Sequence, residues 1–598
     1  MKSYLSMISI SAKVHKKQNR MTIWCIIIAV FLVTAVFSMM EMAVRQETNR
    51  LIAKHGIEEV SSIFASEAFL SLLPIATILF LFILLAGIFM IASSMNSNVA
   101  QRTQFFGMMR CIGMSKKQVI RYVRLEALNW CKSAIPMGIL SGTIATWALC
   151  AILKYVVAGE WADMPQFGLS ILGIVSGAIV GVFTVLIAAA RPARRAAKVT
   201  PVSALSNGAN EKKDAHSIKV KKNIKIEKTI GIRHATESKK NLFLMIGSFA
   251  LSILLFLSFS VIIDLVNYMM PQSESTADIE IYTENGDWIE NGILTTLQNA
   301  EGVKHAIGRR AVFDEKACCS VIHSINCVDV ISFDEYDLEA LKKDGILEKN
   351  CDLDKVISGN AAFVISDEII KKGDIITAFE TELTIAGKLK YNPFSSDGST
   401  EGRTTLIVSD ETFKNMTGIS DYTMLLVQLS DSATDENIET LKALTIDQYK
   451  WVDNREYDTR GTYIAFLICV YSFLIIIALV TILNIVNSIS MSVSARTKQY
   501  GVMRAIGMSK KQLGNMIKAE TLTYSCLGCI IGLAVGLLFS KWLYGFLITS
   551  HYAYAMWHIP IAEIIVILTF FALFIAVGIR GPLKSLNEMS ITETVSQL

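Results

Sequence analysis

Eight apolar stretches punctuate this chain, at about residues 21–40, 68–95, 133–153, 164–190, 241–263, 462–494, 521–540 and 557–579. A helix rises 1.5 Å per residue, so roughly 20 apolar residues cross a hydrocarbon core of about 30 Å. Backbone polar groups in lipid must be bonded within the segment, which makes each stretch a helix. Only 18% of the residues are charged and the mean hydropathy is +0.44, as an integral membrane protein requires. The stretch at 462–494 exceeds one crossing and is expected to continue past the membrane. The first stretch is too long for a signal peptide and lacks a small-residue cleavage site, so it is expected to stay as an anchor.

The formal net charge of +4 conceals a partition. Residues 271–460 hold 18 Lys+Arg against 36 Asp+Glu, a net of −18, which leaves 39 against 17, a net of +22, for the rest. Lys- and Arg-rich short loops stay cytoplasmic. The N-terminal segment (Lys13, Lys16, Lys17, Arg20), residues 96–132 and residues 191–240 are all basic and fall on one side if all eight stretches cross. The acidic block then falls on the other. Span parity and charge agree on cytoplasmic termini and an extracytoplasmic block.

The chain also contains itself twice. Residues 102–128 read RTQFFGMMRCIGMSKKQVIRYVRLEAL and residues 496–522 read RTKQYGVMRAIGMSKKQLGNMIKAETL, about half identical at a displacement of 394. Gly138 and Gly142 match Gly532 and Gly536 in the same register, and Arg191-Pro192 and Gly581-Pro582 follow the fourth and eighth stretches. Each copy is a helix, an outside insertion, a helix, a cytoplasmic segment and a helical hairpin. The insertion is short in the first copy, about 44–67, and is the acidic block in the second. Four crossings separate the copies, so they are parallel repeats about an axis along the membrane normal.

In Ser115-Lys-Lys-Gln118 and Ser509-Lys-Lys-Gln512, Ser followed three residues later by Gln is a capping box at a helix start. Gly113 and Gly507 just before can end a preceding helix at positive φ. Each segment therefore reads as helix, sharp turn, helix. The short first helix carries Gly107, Met109, Arg110 and Ile112, or Gly501, Met503, Arg504 and Ile506, an apolar face flanked by basic residues. A basic amphipathic turn can also lie flat on anionic headgroups. Lipid does not require the same sequence twice at one topological position, whereas a two-copy partner does. The candidate coupling residues are Gly107, Met109, Arg110, Gly113, Ser115, Gly501, Met503, Arg504, Gly507 and Ser509.

The run from Arg496 to Gln512, repeated at 102–118 and followed by a glycine-spaced span, resembles the FtsX-like permease domain of ABC transporters, the family of MacB-type exporters and of lipoprotein-extracting and peptide-antibiotic-resistance permeases. The family often has a glutamate two positions before the first glycine; Phe105 and Gln499 stand there. Residues Val356-Ile357-Ser358, Lys372-Gly373-Asp374 and Thr405–Ser409 make the outside block similar to the MacB periplasmic core domain. The resemblance implies mechanotransmission: closure of separate ATPase subunits moves the helices and reshapes the outside domain. It also implies an ABC ATP-binding partner in two copies, with ATP and Mg held by that partner and no cofactor in this chain.

The expected fold class is thus an α-helical polytopic membrane protein, eight transmembrane helices in two parallel four-helix repeats, plus an extracytoplasmic α+β domain. Residues 1–205 form the first repeat with its coupling segment at about 100–126. Residues 206–240 are a basic linker, 241–270 the fifth span, 271–460 the outside domain, and 461–598 the second repeat with its coupling segment at about 494–520. In the outside domain, 279–282 and 424–429 read as strands, 335–347 and 433–444 as helices, and 395–398 as a turn.

The chain lacks the GxxxxGK[ST] loop whose amides and lysine cradle nucleotide phosphates, so it is not expected to hydrolyse ATP. It carries no HExxH, GxSxG or dinucleotide motif, and no metal is expected. His234 and His323 read as surface or packing residues. Gly173, Gly177 and Gly181, and Gly528, Gly532 and Gly536, recur every fourth residue and, with Gly138 and Gly142, are expected to pack helices. Asn484 and Asn487 are expected to bond between helices. Glu126 and Glu520 match each other at the cytoplasmic boundary. Chains of ionisable groups deep in the spans, the mark of ion-driven carriers, are missing, which disfavours a secondary transporter. Cys318, Cys319, Cys327 and Cys351 lie where the compartment allows disulfides, with pairing open. The acidity of the outside block fits a cationic ligand, such as an antimicrobial peptide, or plain solubility.

Two functions follow. One is a plasma-membrane permease subunit that exports or removes an amphiphilic compound. The other is a non-transporting regulatory subunit that relays ATP-driven motion to a histidine kinase or a cell-wall hydrolase. Lipid is a partner in either case; nucleic acid is not.

Overall fold

The computed structural model describes residues 16–55, part of 77–99, and residues 102–157, 161–199, 225–283, 287–319 and 327–588, with a few short omissions inside those ranges. Among the described residues, seven helices are long and apolar enough to cross a membrane. Most of the expected second span, 68–95, lies outside the described residues, and those described between 77 and 99 are helical. Asn484, Asn487 and His323 have side chains outside the described set.

The helical part runs α1 (Lys16–His55), α2 (Thr103–Cys111), α3 (Lys116–Ile152), α4 (Ile171–Ala197), α5 (Ile226–Glu237), α6 (Lys239–Met269), α7 (Arg460–Ala495), α8 (Thr497–Ala505), α9 (Lys510–Tyr544) and α10 (Ile561–Glu588). At 36 residues, α7 outruns a single crossing.

Small residues decide how the helices pack, because lipid tails offer no hydrophobic drive between them. In the first repeat α1 is held from two sides. A Cβ on Gly138 or Gly142 of α3 would come within 2.7 Å of Val30 and 2.9 Å of Thr34, and one on Gly173 or Gly177 of α4 would overlap the hydroxyls of Ser38 and Thr34. In the second repeat α9 approaches α6 through Gly532, whose Cβ would sit 2.9 Å from Ala250, and Gly536, 2.8 Å from Leu257. The buried Glu41 of α1 accepts hydrogen bonds from Ser170 Oγ (2.5 Å) and Leu172 N (3.1 Å), capping the start of α4.

The chain divides into two compact units: residues 1–263, 464–543 and 558–598, and residues 264–463 with 544–557. The acidic block thus folds together with the loop that joins α9 to α10. Among its described residues are ten strands: β1 (Ile279–Tyr282), β2 (Val303–Arg309), β3 (Ala311–Cys319), β4 (Cys327–Phe333), β5 (Ala361–Ile365), β6 (Ile375–Ala378), β7 (Thr381–Lys388), β8 (Thr405–Ser409), β9 (Met424–Leu429) and β10 (Lys450–Asp453). They form a four-stranded sheet ordered β10-β1-β9-β2 and a closed barrel ordered β3-β4-β8-β5-β7-β6. Closing the barrel removes sheet edges. The expected helices appear as Glu335–Lys343 and Asp435–Leu444, and Val356–Ser358 lies in a further short helix, Leu353–Ser358.

Where the chain crosses from sheet to barrel, two arginines fasten the halves of the block. Arg309 forms a bidentate pair with the buried Asp337 (2.7 and 2.9 Å). Arg310 is wholly buried; it reaches Asp410 at 2.6 Å, donates to the Ser420 carbonyl and lies 3.9 Å over the Tyr422 ring. A guanidinium this deep is tolerable because its donors are met by charge and carbonyl oxygen. Beside them, burial pushes the Asp334 carboxyl up to about 6, with the charges of Asp337 and Asp410 adding to the shift. The four cysteines of the block are free thiols: Cys318 and Cys327 exposed, Cys319 buried, Cys351 half-buried.

Candidate coupling site

Two turns, at residues 111–115 and 505–509, share one backbone design. In the first, the N–H of Gly113 donates to the Arg110 carbonyl and that of Met114 to the Met109 carbonyl, both at 3.1 Å. In the second, Gly507 donates to Arg504 (3.1 Å) and Met508 to Met503 (3.0 Å). This double closure needs a left-handed residue, and Gly113 and Gly507 supply it at φ +100 and +110. The following helix then starts on a capping box. Gln118 N donates to Ser115 Oγ (3.3 Å) and Ser115 N to Gln118 Oε1 (2.8 Å); for Gln512 and Ser509 the distances are 3.3 and 3.0 Å. Both helix ends meeting at each turn are satisfied, so each turn is a stiff elbow.

The elbows expose hydrocarbon. Ile112 is 88% and Ile506 82% exposed, and Met108 and Val502 beside them are also exposed. The two isoleucines are almost wholly outside the packed interior, and Met108 and Val502 are partly so. Gly107 and Met109 face the other way: Met109 is buried, so it anchors α2 instead of offering contact surface. Gly501 is buried and Met503 half-buried. Arg110 is spent on the fold as well, donating to the carbonyls of Ala197 (3.4 Å), the last residue of α4, and Val199 (2.7 Å) just beyond it. Arg504 is half-buried; Gly113, Ser115, Gly507 and Ser509 are exposed at the tips. The surface facing outward is therefore Met108, Ile112, Val502 and Ile506, framed by the exposed lysines at 116, 117, 510 and 511.

Behind the first elbow, Arg102 and Glu126 form a buried pair, Nη1 lying 2.8 and 3.0 Å from the two carboxylate oxygens. The guanidinium also sits over Phe105 and Phe106, 5.1 and 5.5 Å from their centroids. This closes α2 against α3. The matching Arg496 does something else. It donates to the His234 carbonyl at the end of α5 (2.9 Å) and pairs with the largely exposed Glu237 (3.5 Å). Glu520 accepts from Tyr524 Oη at 3.3 Å and lines a small cavity with Met245, Ile489, Val493, Ile517, Thr521 and Tyr524. Helix α5 is seated tightly: a Cβ on Gly231 would overlap the Met516 carbonyl of α9. The His234 ring is packed here, and burial followed by the Arg496 charge lowers its pKa to about 4.

Glu126 and Glu520 stood out in the sequence, but the partner of Glu126 did not. The signal was present: Arg102 and Arg496 open the repeated run, and both the arginine and the glutamate keep register in the two copies. Among the described residues, no group of three or more His, Cys, Asp or Glu could hold a metal.

Comparison with known proteins matches residues 77–201 and 471–588 to one family, "FtsX-like permease C-terminal". The two stretches contain the two elbows. A relative described as an uncharacterised ABC transporter permease protein of Mycobacterium tuberculosis is 28% identical over 139 residues, 23% of this chain and 16% of the relative. The chain thus matches about a sixth of that relative's length. Among solved structures, the extracellular domain of the ABC-type transporter YknZ from Gram-positive bacteria aligns with 29% of this chain and 98% of its own, at 15% identity and a TM-score of 0.22. The periplasmic region of MacB from Actinobacillus actinomycetemcomitans aligns with 31% of this chain and 92% of its own, at 13% identity and a TM-score of 0.24.

Proposed function

Taking as premise that this chain carries two FtsX-like permease regions, we propose that it is the membrane subunit of an ABC transporter, driven by a separate ATPase that docks in two copies on the two elbows. One observation carries the reading: the same stiff turn occurs twice, each time leaving an isoleucine more than four-fifths exposed. Apolar side chains outside the packed interior, rimmed by charge, suit a protein interface.

Each elbow opens directly into a long helix. Helices α3 and α9 have 37 and 35 residues, which at 1.5 Å per residue is roughly 50 Å of rod. A push on Ile112 or Ile506 enters the rod without being absorbed, because the capping box and the glycine closure leave no loose joint. ATP and Mg belong to the partner. This chain's part is to receive displacement and carry it across the membrane. The basic segments and termini are cytoplasmic, and the acidic block is extracytoplasmic. Its surplus of carboxylates raises the local concentration of cationic amphiphiles such as antimicrobial peptides, the substrate class we assign for export or removal.

The test is co-purification of the ATPase with the parent chain and with Ile112→Asp, Ile506→Asp and the double variant, followed by growth under cationic peptides. We expect each single change to weaken retention about tenfold or more, the double change to abolish it, and resistance to fall in parallel. Full retention by the double variant would refute the docking site. Full resistance without ATPase would refute the transport role.

A further inference from the structure

The second hairpin, between α9 and α10, ends in a cluster of tyrosines, where the described residues of its counterpart in the first repeat form a Trp–Phe pair. After α3, the chain makes one π turn (Leu153–Val157) and folds back on its own repeat. There Trp147 Nε1 donates to the Gly168 carbonyl at 2.9 Å, Phe167 meets Trp147 edge-on, and Met42 covers Gly168. After α9 the chain makes the same π turn (Gly545–Thr549), but its aromatic rings go elsewhere. Tyr554 stacks on Tyr391, just after β7, with centroids 4.7 Å apart and planes 23° apart. Tyr268, at the end of α6, lies 5.5 Å from Tyr552 and 5.9 Å from Tyr554 and accepts a hydrogen bond from Tyr544 at 3.1 Å.

The receiving loop is built to take a ring. Gly398 lies against the Tyr554 ring so closely that a Cβ would overlap it, and its φ of +73 adds strain for any other residue. The loop is braced from within: Asn392 N donates to the Gly398 carbonyl (3.1 Å), and Asn392 Nδ2 to the Ser399 carbonyl (3.0 Å). The Asp397 carboxylate accepts from Ser395 Oγ (2.6 Å) and Ser399 N (2.9 Å). Aromatic pairs with these spacings contribute beyond the area they bury.

We infer that Tyr391, Tyr554 and Gly398, with Tyr268 behind them, form a clasp by which the α9–α10 hairpin holds and displaces the barrel of the outside block. The covalent tethers of the block are its links to α6 and α7. The clasp is an attachment of a different kind, to the hairpin whose incoming helix begins at the second elbow. These are positioning residues, and their role rests on the coupling function proposed above.

Hydrogen exchange of the full chain with its ATPase in lipid nanodiscs, with and without a non-hydrolysable ATP analogue, tests this. Tyr554→Ala should speed exchange about threefold to tenfold in residues 391–402 and 545–557. It should also remove the ATP-dependent change in the barrel strands while ATPase retention and basal hydrolysis stay at parent level. Tyr554→Phe keeps the ring and should match the parent; Gly398→Val should resemble Tyr554→Ala. The clasp is overturned if Tyr554→Ala leaves exchange in both segments at parent rates, or if its barrel responds to nucleotide as the parent's does. A parent chain that retains no ATPase overturns the coupling reading instead, and the nucleotide-free exchange still decides the contact.

Discussion

The two elbows are nearly the same sequence and the same backbone, yet they are held by different means. The first is closed by Arg102 on Glu126, a pair with side chains only 5% and 3% exposed, sandwiched against Phe105 and Phe106. The second gives its arginine to a helix end, the His234 carbonyl, and to Glu237, which is 65% exposed. The positions around the pair explain the divergence. Phe106 and Trp130 in the first copy correspond to Tyr500 and Tyr524 in the second, and the Tyr524 hydroxyl donates to the buried glutamate. Helix α5 also has its carbonyl end within reach of Arg496. Local closures survived duplication because they depend on residues within six positions of one another. Tertiary closures did not, because they depend on what packs behind. The exposed face is thus equivalent on the two elbows, while the packing behind it is not.

The largest test of this contrast is Arg102→Ala against Arg496→Ala. Removing one partner of a buried pair costs about 3–5 kcal/mol, whereas exposed pairs are worth about 0–1. Amide exchange should therefore rise far more in α2 for Arg102→Ala than in α8 for Arg496→Ala; equal effects would break the comparison. Next come Ile112→Asp and Ile506→Asp. Each should cost about 2–4 kcal/mol of ATPase affinity by titration, with the two losses alike, because the exposed faces are alike. A loss confined to one elbow would mean that only one is used. Gly231→Val is smaller, about 1–3 kcal/mol as overpacking. It should loosen α5 and the second elbow and leave the first unchanged, read as exchange in α8 but not α2.

Asp334→Asn is the smallest, and it serves as a control in the outside block. The carboxyl of Asp334 is raised from an ordinary 3.8 to about 6, so the folded block holds a proton that the unfolded chain releases. That contribution is complete below about pH 4 and is lost as pH rises through 6. Asn mimics the neutral acid and can still accept from Asp337 N, as Asp334 does at 2.8 Å. It should protect β4 and β8 from exchange by about 1–2 kcal/mol at pH 7, after allowance for partial exposure, and by nothing near pH 4. Neither elbow should respond.

What could be read in advance follows the same division between local and distant. The left-handed Gly113 and Gly507 and the Ser–Gln boxes are written within a few residues, and they stand where expected. So do strands Ile279–Tyr282 and Met424–Leu429, which alternate or bury as a pattern of their own. The face of α2 was not legible: a nine-residue helix with Met108 and Met109 side by side gives no clue to which methionine turns inward. Nor was the six-stranded barrel, whose parallel pair β4–β8 joins segments far apart in the chain and whose parallel pair β5–β7 skips over β6. The clasp went unseen because Tyr391 and Tyr554 meet across more than 160 residues.

The central claim is that both elbows present their isoleucines on one side of the membrane, opposite the acidic block. Labelling with a membrane-impermeant maleimide tests it directly. Cys111 is already exposed at the first elbow, Ile506→Cys places a thiol at the second, and Cys318 and Cys327 are exposed on the block. Peptide mapping should find only Cys318 and Cys327 labelled in intact cells, and both elbow positions labelled in inverted vesicles. Labelling of either elbow position from outside, with the other protected, would contradict the account.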